Sequence, residues 1–245
     1  MADLCDQIQT WLQERKAMIG LDFDGTLVGL NPDPEAVRLS VDARQVIERL
    51  AGKYVCSLIS GRMISDLRPR ALLKDVHYIG THGAEIEKCG GPRWQFEDRR
   101  WSEWRAAEWP AFEAWVIEKG GRIEDKGISF SVHYRNAAEQ SVWWQAEGLN
   151  ELSRRFEGIA EVFGGESVWN ITPRGAPHKG HSAEQLCRET GCDSLIYFGD
   201  EETDENVFRL THFPVLGVKI GPGQTAASWR LANHHEVLAL LKRLA

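Results

Sequence analysis

Four short, apolar, β-rich runs each stop on a polar residue: IGLDFDGTLVGL (residues 19–30) at Asp22, YVCSLIS (54–60) at Ser60, VHYIGTH (76–82) at His82 and SLIYFGD (194–200) at Asp200. Runs that stay apolar instead of alternating belong to strands covered on both faces. Helix-like segments lie beside them. In VDARQVIERLA (41–51), Val41, Val46, Ile47 and Leu50 share one stripe, and Lys179 to Glu189 places Ala183, Leu186 and Cys187 in the same way. Strands alternating with helices predict an α/β fold, a parallel sheet with helices on both faces. In open sheets of this kind ligands bind beyond the carboxyl ends of the strands, which is where the four closing polar residues fall.

The pattern changes between about residues 103 and 174. A long amphipathic stretch carrying Trp104, Trp109 and Trp115 precedes GRIEDKGISFSVHYR, where Ile128, Phe130, Val132 and Tyr134 alternate with Ser129, Ser131 and His133. That alternation predicts a half-buried strand with one wet face. A helix-like segment over about 138–157 and the strand-like runs IAEVF and SVWNIT complete a small α+β unit inserted into the α/β domain. The expected organisation is therefore a core of residues 1–102 and 175–245 with an insert of residues 103–174. GGPR (90–93) reads as a hairpin turn, and the ten tryptophans are spaced for core packing more than for an aromatic binding surface.

Composition narrows the partners. A formal charge of −7 argues against a general nucleic-acid or anionic-membrane binder, since both require a basic surface. The apolar runs are strand-sized, none approaching a membrane span, and MADLCDQIQTWLQERK lacks the basic-then-apolar order of a secretion signal, so the expected address is the cytoplasm. Five cysteines without a C-x-x-C pair argue against a disulfide framework or a thiolate zinc site. An anionic small molecule would need a local binding site.

Two acids one residue apart, Asp22 and Asp24, at the end of a buried run need a cation or donors nearby. Asp-Gly is also a common turn dipeptide, so the test is whether distant segments supply partners. GDEETDENVF (199–208) adds Asp200 and Asp204, with Glu201 and Glu202 between them. Clustered carboxylates without histidine or thiolate suit Mg²⁺; the alternative is an acidic helix N-terminus. ISGR (59–62) offers a hydroxyl at Ser60, a backbone N–H at Gly61 and a guanidinium at Arg62, and Lys179 opens a helix. Such groups cradle phosphate.

Taken together, DFDGT, the Ser60 segment, Lys179 and GDEETD resemble the four signature segments of the haloacid dehalogenase-like (HAD) phosphatases. The resemblance is closer still to the trehalose-6-phosphate phosphatases, whose landmarks are matched in order by LDFDGTL, LISGR, GTHGAE, EDKGISFSVHYR, PRG with KG following, GDEETDENVF and VKIGPGQTAASWRLA. It implies a HAD-like, Rossmannoid parallel-sheet core with an inserted α+β cap of the C2 type. It also implies Mg²⁺-dependent hydrolysis of trehalose 6-phosphate, with Asp22 as the nucleophile and Asp24 as the acid/base. Mg²⁺ would be held by Asp22, the main-chain oxygen of Asp24 and Asp200, with Asp204 or Glu201 gripping its waters. Ser60, Gly61 and Lys179 would bind the phosphoryl group.

In that family the cap is mobile, closes over the site and reads the sugar. Glu124 and Lys126 match two of its positions. A third, usually glutamate, is Asn170 here, and the basic residue two positions on is Thr172, so the chain departs from the pattern where the disaccharide is recognised. Arg62, His82, Glu85, His133 and Arg135 are candidates to line the cleft. The alternatives are a phosphatase for another sugar phosphate, a phosphotransferase or mutase of the same fold, and a non-catalytic sugar-phosphate sensor. The presence of both Asp22 and Asp24 argues against the sensor.

Overall fold

The structure, a computed structural model, describes residues 2–31, 33–134, 140–165 and 167–245. The strands, in chain order, are β1 (Ala17–Leu21), β2 (Val55–Ile59), β3 (His77–Gly80), β4 (Glu85–Glu87), β5 (Arg93–Gln95), β6 (Arg122–Asp125), β7 (Phe130–His133), β8 (Ala160–Gly165), β9 (Val168–Pro173), β10 (Ser194–Gly199), β11 (Val215–Ile220) and β12 (Trp229–Leu231). The chain divides into two compact units, Met1–Gln95 with Pro177–Ala245, and Phe96–Ala176.

The first unit is built on an eight-stranded sheet ordered β12-β11-β10-β1-β2-β3-β4-β5. Strands β12 through β3 are parallel, and the hairpin β4–β5, turned at 88–92, adds an antiparallel edge that the apolar runs did not announce. Every residue of β1 and β10 is buried, as their unbroken apolar sequences require. Alternate side chains enter separate cores on the two faces. Ile19 and Leu21 join Val46, Ile47 and Leu50 of helix Val41–Ala51 and Val237 and Leu240 of helix His234–Leu244, whereas Met18 and Tyr197 join Ala183, Leu186 and Cys187 of helix Lys179–Glu189. Val41, expected on the apolar stripe, is 62% exposed: it stands in the first turn after the Ser40 cap, and Ala43 takes a buried place instead.

Because β1 lies between β2 and β10, chain order reverses on its two sides. This is the switch point at which a crevice opens beyond the strand ends. The residues leaving β1 and β10 are Asp22 and Asp200, and the Asp22 amide donates to the Phe198 carbonyl at 2.9 Å, tying the two exits together.

The second unit has its own antiparallel sheet, β6-β7-β9-β8, packed on helix Arg99–Glu118 and the helical segment after residue 140. It begins at Phe96, before the residue 103 expected from composition, because the long helix starts at Arg99, capped by Asp98. Trp101, Trp144 and Trp169 are buried with Phe112, Phe130 and Phe156, and Trp104, Trp109, Trp115 and Trp143 pack against them, so these seven tryptophans go to the core. Ser129 and Ser131, expected on a wet face, are 3% and 1% exposed; β7 is an inner strand, and the Ser131 hydroxyl is covered where it donates to Asn170. Among the described residues, no helix is long and apolar enough to cross a membrane.

Candidate active site

Asp22 follows β1 directly and is 2% exposed. Its Oδ1 accepts from Lys179 Nζ at 2.9 Å, and the same ammonium donates to Asp204 Oδ1 at 2.7 Å. Lys179 reaches them because helix Lys179–Glu189 begins at that residue, with His178 Nδ1 accepting from the Gly180 and His181 amides. Burial, aided by His181, holds His178 below the usual histidine range, which favours the neutral ring that such a cap requires. Although burial disfavours the ammonium, Asp204 and Asp22 push Lys179 well above its ordinary range, and it stays charged.

Asp204 is held by three donors. Its Oδ1 also accepts from the Tyr197 hydroxyl at 2.6 Å, and its Oδ2 accepts from the Glu201 amide at 2.8 Å. Asp204 thus anchors Lys179, and more capacity is open on its two neighbours. Asp22 Oδ2 is buried with no hydrogen-bond partner, and Asp200 takes only Thr26 Oγ1, at 2.9 Å, among the described side-chain donors. Burial drives the Asp22 carboxyl well above the usual carboxylate range; Lys179 opposes this, and Asp204, Glu201 and Asp200 reinforce it. Asp200 is pushed up to about 6 by burial, Glu201 and Asp204 against the Thr26 hydrogen bond.

One carboxylate oxygen each from Asp22, Asp200 and Asp204 lies within 4.8 Å of the others. An orphaned buried oxygen beside a second under-neutralised carboxylate, all hard donors, fits a small divalent cation such as Mg²⁺. Gly25 leaves this space open. Its φ of +79° suits glycine, and a Cβ there would sit 2.0 Å from Asp200 Oδ2.

Ser60, 1% exposed, ends β2, and its Oγ accepts from the Arg62 amide at 3.2 Å. Gly61 is required by a close neighbour, since a Cβ would meet the His82 ring at 2.4 Å. His82 and Thr81 occupy the left-handed region, at φ of 55° and 48°, pinned by amide bonds from His82 to the Ser60 carbonyl and from Thr81 to the Arg62 carbonyl. The strained GTHG loop therefore packs against the Ser60–Arg62 turn, and Ser182 Oγ donates to the Gly83 carbonyl at 2.6 Å, binding it to the Lys179 helix as well.

Arg62 also donates to both oxygens of Asp24, and through these bonds the first unit holds Asp22, Asp24, Ser60, Gly61, Arg62, Lys179, Asp200 and Asp204. Glu85 has a different setting. It is 2% exposed, its Oε2 accepts from the Ile64 amide at 2.8 Å, and it pairs with Arg93, so its carboxylate fixes the start of helix Ile64–Ala71. Two buried partners went unforeseen: Tyr197, inside an apolar strand, and Lys219, 5% exposed, which donates to the Asp200 carbonyl. A lysine within the apolar run VLGVKI was the available signal for the second.

Within the other unit, Glu124, Ser131 and Asn170 form one cross-strand row, Ser131 Oγ donating to Asn170 Oδ1 at 2.7 Å. Glu124 Oε2 lies 2.8 Å from His133 Nε2 and 4.0 Å from Lys126 Nζ. The His133 hydrogen bond, helped by Lys126 and opposed by burial, lowers the Glu124 carboxyl to about 2. Thr172 extends the same strand, and Arg135 lies outside the described residues.

Comparison with known proteins identifies the fold and the family. Candida albicans trehalose-6-phosphate phosphatase C-terminal domain superposes with a TM-score of 0.80 at 23% identity, covering 98% of this chain and 96% of that one. A haloacid dehalogenase-like hydrolase from Bacteroides thetaiotaomicron gives 0.69 at 17% identity, covering 94% and 100%. The fold is that of the haloacid dehalogenase-like proteins, an α/β core. Residues 20–233 match the family described as Trehalose-phosphatase, and the chain belongs to that family. Among relatives, a Mycobacterium tuberculosis protein named as an uncharacterized glycosyl hydrolase is 30% identical over 98% of this chain, and the Zea mays trehalose 6-phosphate phosphatase RA3 is 28% identical over 94%. The chain spans 19% of the first and 70% of the second.

Proposed function

We propose that this chain is a Mg²⁺-dependent phosphatase that hydrolyses trehalose 6-phosphate through an aspartyl-phosphate. The observation that carries this reading is the buried Asp22–Lys179–Asp204 assembly with the free Asp22 Oδ2 beside Asp200. Asp22 attacks phosphorus as the bond from phosphorus to the sugar oxygen breaks, and Asp24 supplies the proton that the departing alkoxide needs. Asp24 then takes a proton from water as its oxygen bonds to phosphorus and the bond to Asp22 opens, releasing phosphate. Lys179, Ser60 and the Gly61 amide hold the phosphoryl oxygens and offset their repulsion from Asp22. Asp22, the Asp24 main-chain oxygen and Asp200 would hold Mg²⁺, which would supply the remaining positive charge. Glu124 and Asn170, in one cross-strand row, recognise the sugar together with Lys126, and trehalose 6-phosphate is favoured by the family and by the names of the maize relative and the Candida domain.

Phosphate release from trehalose 6-phosphate, sucrose 6-phosphate and glucose 6-phosphate, with and without Mg²⁺, tests the reading. It expects the trehalose ester to give the highest kcat/KM and only with metal. Preference for glucose 6-phosphate would move the assignment to another sugar phosphate, and binding without turnover would make the chain a sensor.

A further inference from the structure

Asp24 is held by a single guanidinium at both carboxylate oxygens: Arg62 Nε lies 2.6 Å from Oδ2 and Nη2 lies 2.8 Å from Oδ1. The other edge of that guanidinium faces Asp66, with Nη1 2.9 Å from Oδ2. Asp66 Oδ1 accepts in turn from Arg70 Nε at 2.8 Å. Arg70 is 4% exposed and donates to both the main-chain oxygen of Glu35, at 2.8 Å, and its carboxylate, at 2.7 Å. Charges therefore alternate along Asp24, Arg62, Asp66, Arg70 and Glu35.

The local structure explains why the series is ordered. Asp66 and Arg70 stand one turn apart on helix Ile64–Ala71, whose first amide is fixed by the buried Glu85. A guanidinium is planar, so holding one edge at Asp66 fixes the direction of the opposite edge, on which the Asp24 carboxylate rests. Each oxygen of Asp24 keeps a second lone pair outside that bond, which is where a transferable proton would sit. Although burial works the other way, hydrogen bonds from Arg70 and Arg62 hold Asp66 below the usual carboxylate range, so it is a fixed negative anchor.

We infer that Asp66, locked by Arg70, is a positioning residue for Asp24, acting through the Arg62 guanidinium. The inference rests on the acid/base role given to Asp24 above. Asp66 meets no substrate in this scheme; it sets where the proton donor stands.

The test compares kcat/KM for trehalose 6-phosphate and 4-nitrophenyl phosphate, a ratio that reports phosphoryl transfer to Asp22 before any water is activated. A sugar alkoxide needs a proton to leave, and 4-nitrophenolate does not. Asp66→Asn should lower the sugar ester about tenfold, in kcat more than in KM, and the aryl ester less than about twofold. A structural role alone would lower both esters together with the melting temperature, or neither, and either pattern overturns the inference. Arg70→Lys keeps the charge and loses the fork, so it should give the same split in milder form if Asp66→Asn folds poorly; equal effects on both esters would remove Arg70 as the lock. Asp24→Asn run in parallel separates the two levels. If Asp24→Asn shows no leaving-group split, the acid/base role itself fails, whereas a split there without one at Asp66 sinks only the relay.

Discussion

Lys179 Nζ lies 2.9 Å from Asp22 Oδ1, and neither side chain is more than 3% exposed. An ammonium and a carboxylate this deeply buried persist only as partners. Lys179→Met should leave Asp22 and Asp204 uncompensated and destabilise the metal-free protein by about 3 kcal/mol, with phosphate release lost. Urea unfolding measures the first effect, and a change below about 1 kcal/mol would contradict the pairing.

The nucleophile is tested by a nearly isosteric change. Asp22→Asn should abolish turnover while leaving the fold intact, as judged by circular dichroism and gel filtration. A rate within about tenfold of wild type, roughly 1.4 kcal/mol of barrier, would exclude Asp22 as the attacking group.

Metal binding should depend on pH through Asp200. Its carboxyl is raised to about 6 by burial and by Glu201, so in the metal-free protein its stabilising contribution is full below the usual carboxylate range and is lost as pH rises through about 6. Mg²⁺ requires the ionised form and shows the opposite trend, with Kd about tenfold weaker near pH 5 than near pH 7. Asp22 shifts in the same direction and adds to it. Calorimetric titration, or the rise in melting temperature on adding Mg²⁺, reads this directly. An unchanged Kd across that range would show that these carboxylates are not the ligands.

Under the proposed function, substrate choice turns on Asn170, whose Oδ1 accepts from Ser131 at 2.7 Å in the row with Glu124. An amide forms weaker hydrogen bonds to sugar hydroxyls than a carboxylate does, a difference of about 1 kcal/mol or roughly fivefold in kcat/KM. Asn170→Glu should widen the lead of trehalose 6-phosphate over sucrose 6-phosphate and glucose 6-phosphate. Unaltered ratios would mean that recognition does not pass through this position.

Four inner strands of the sheet, β1, β2, β3 and β10, and the polar residues that follow them were legible in the residues. Strands buried on both faces must be apolar along their whole length, so runs such as SLIYFG were visible as such, and the polar residues ending them could fall only at the strand ends. The helix over Val41–Ala51 and the one over Lys179–Glu189 were equally legible from their stripes, with Val41 as the exception that a first-turn position allows.

Which acids pair with which donors was not legible there, because pairing depends on partners far away in the chain. Asp204 reads in GDEETD only as one more acid, yet Lys179, Tyr197 and the Glu201 amide all donate to it, while one Asp22 oxygen stays unpartnered beside it. Glu85 looks like a cleft residue in GTHGAE, yet it is spent on the Ile64 amide. The link from Asp24 through Arg62 and Asp66 to Arg70 has no motif, since a guanidinium chooses among carboxylates by reach and angle, and these exist only once helix Ile64–Ala71 is packed beside β3 and the turn before it is folded.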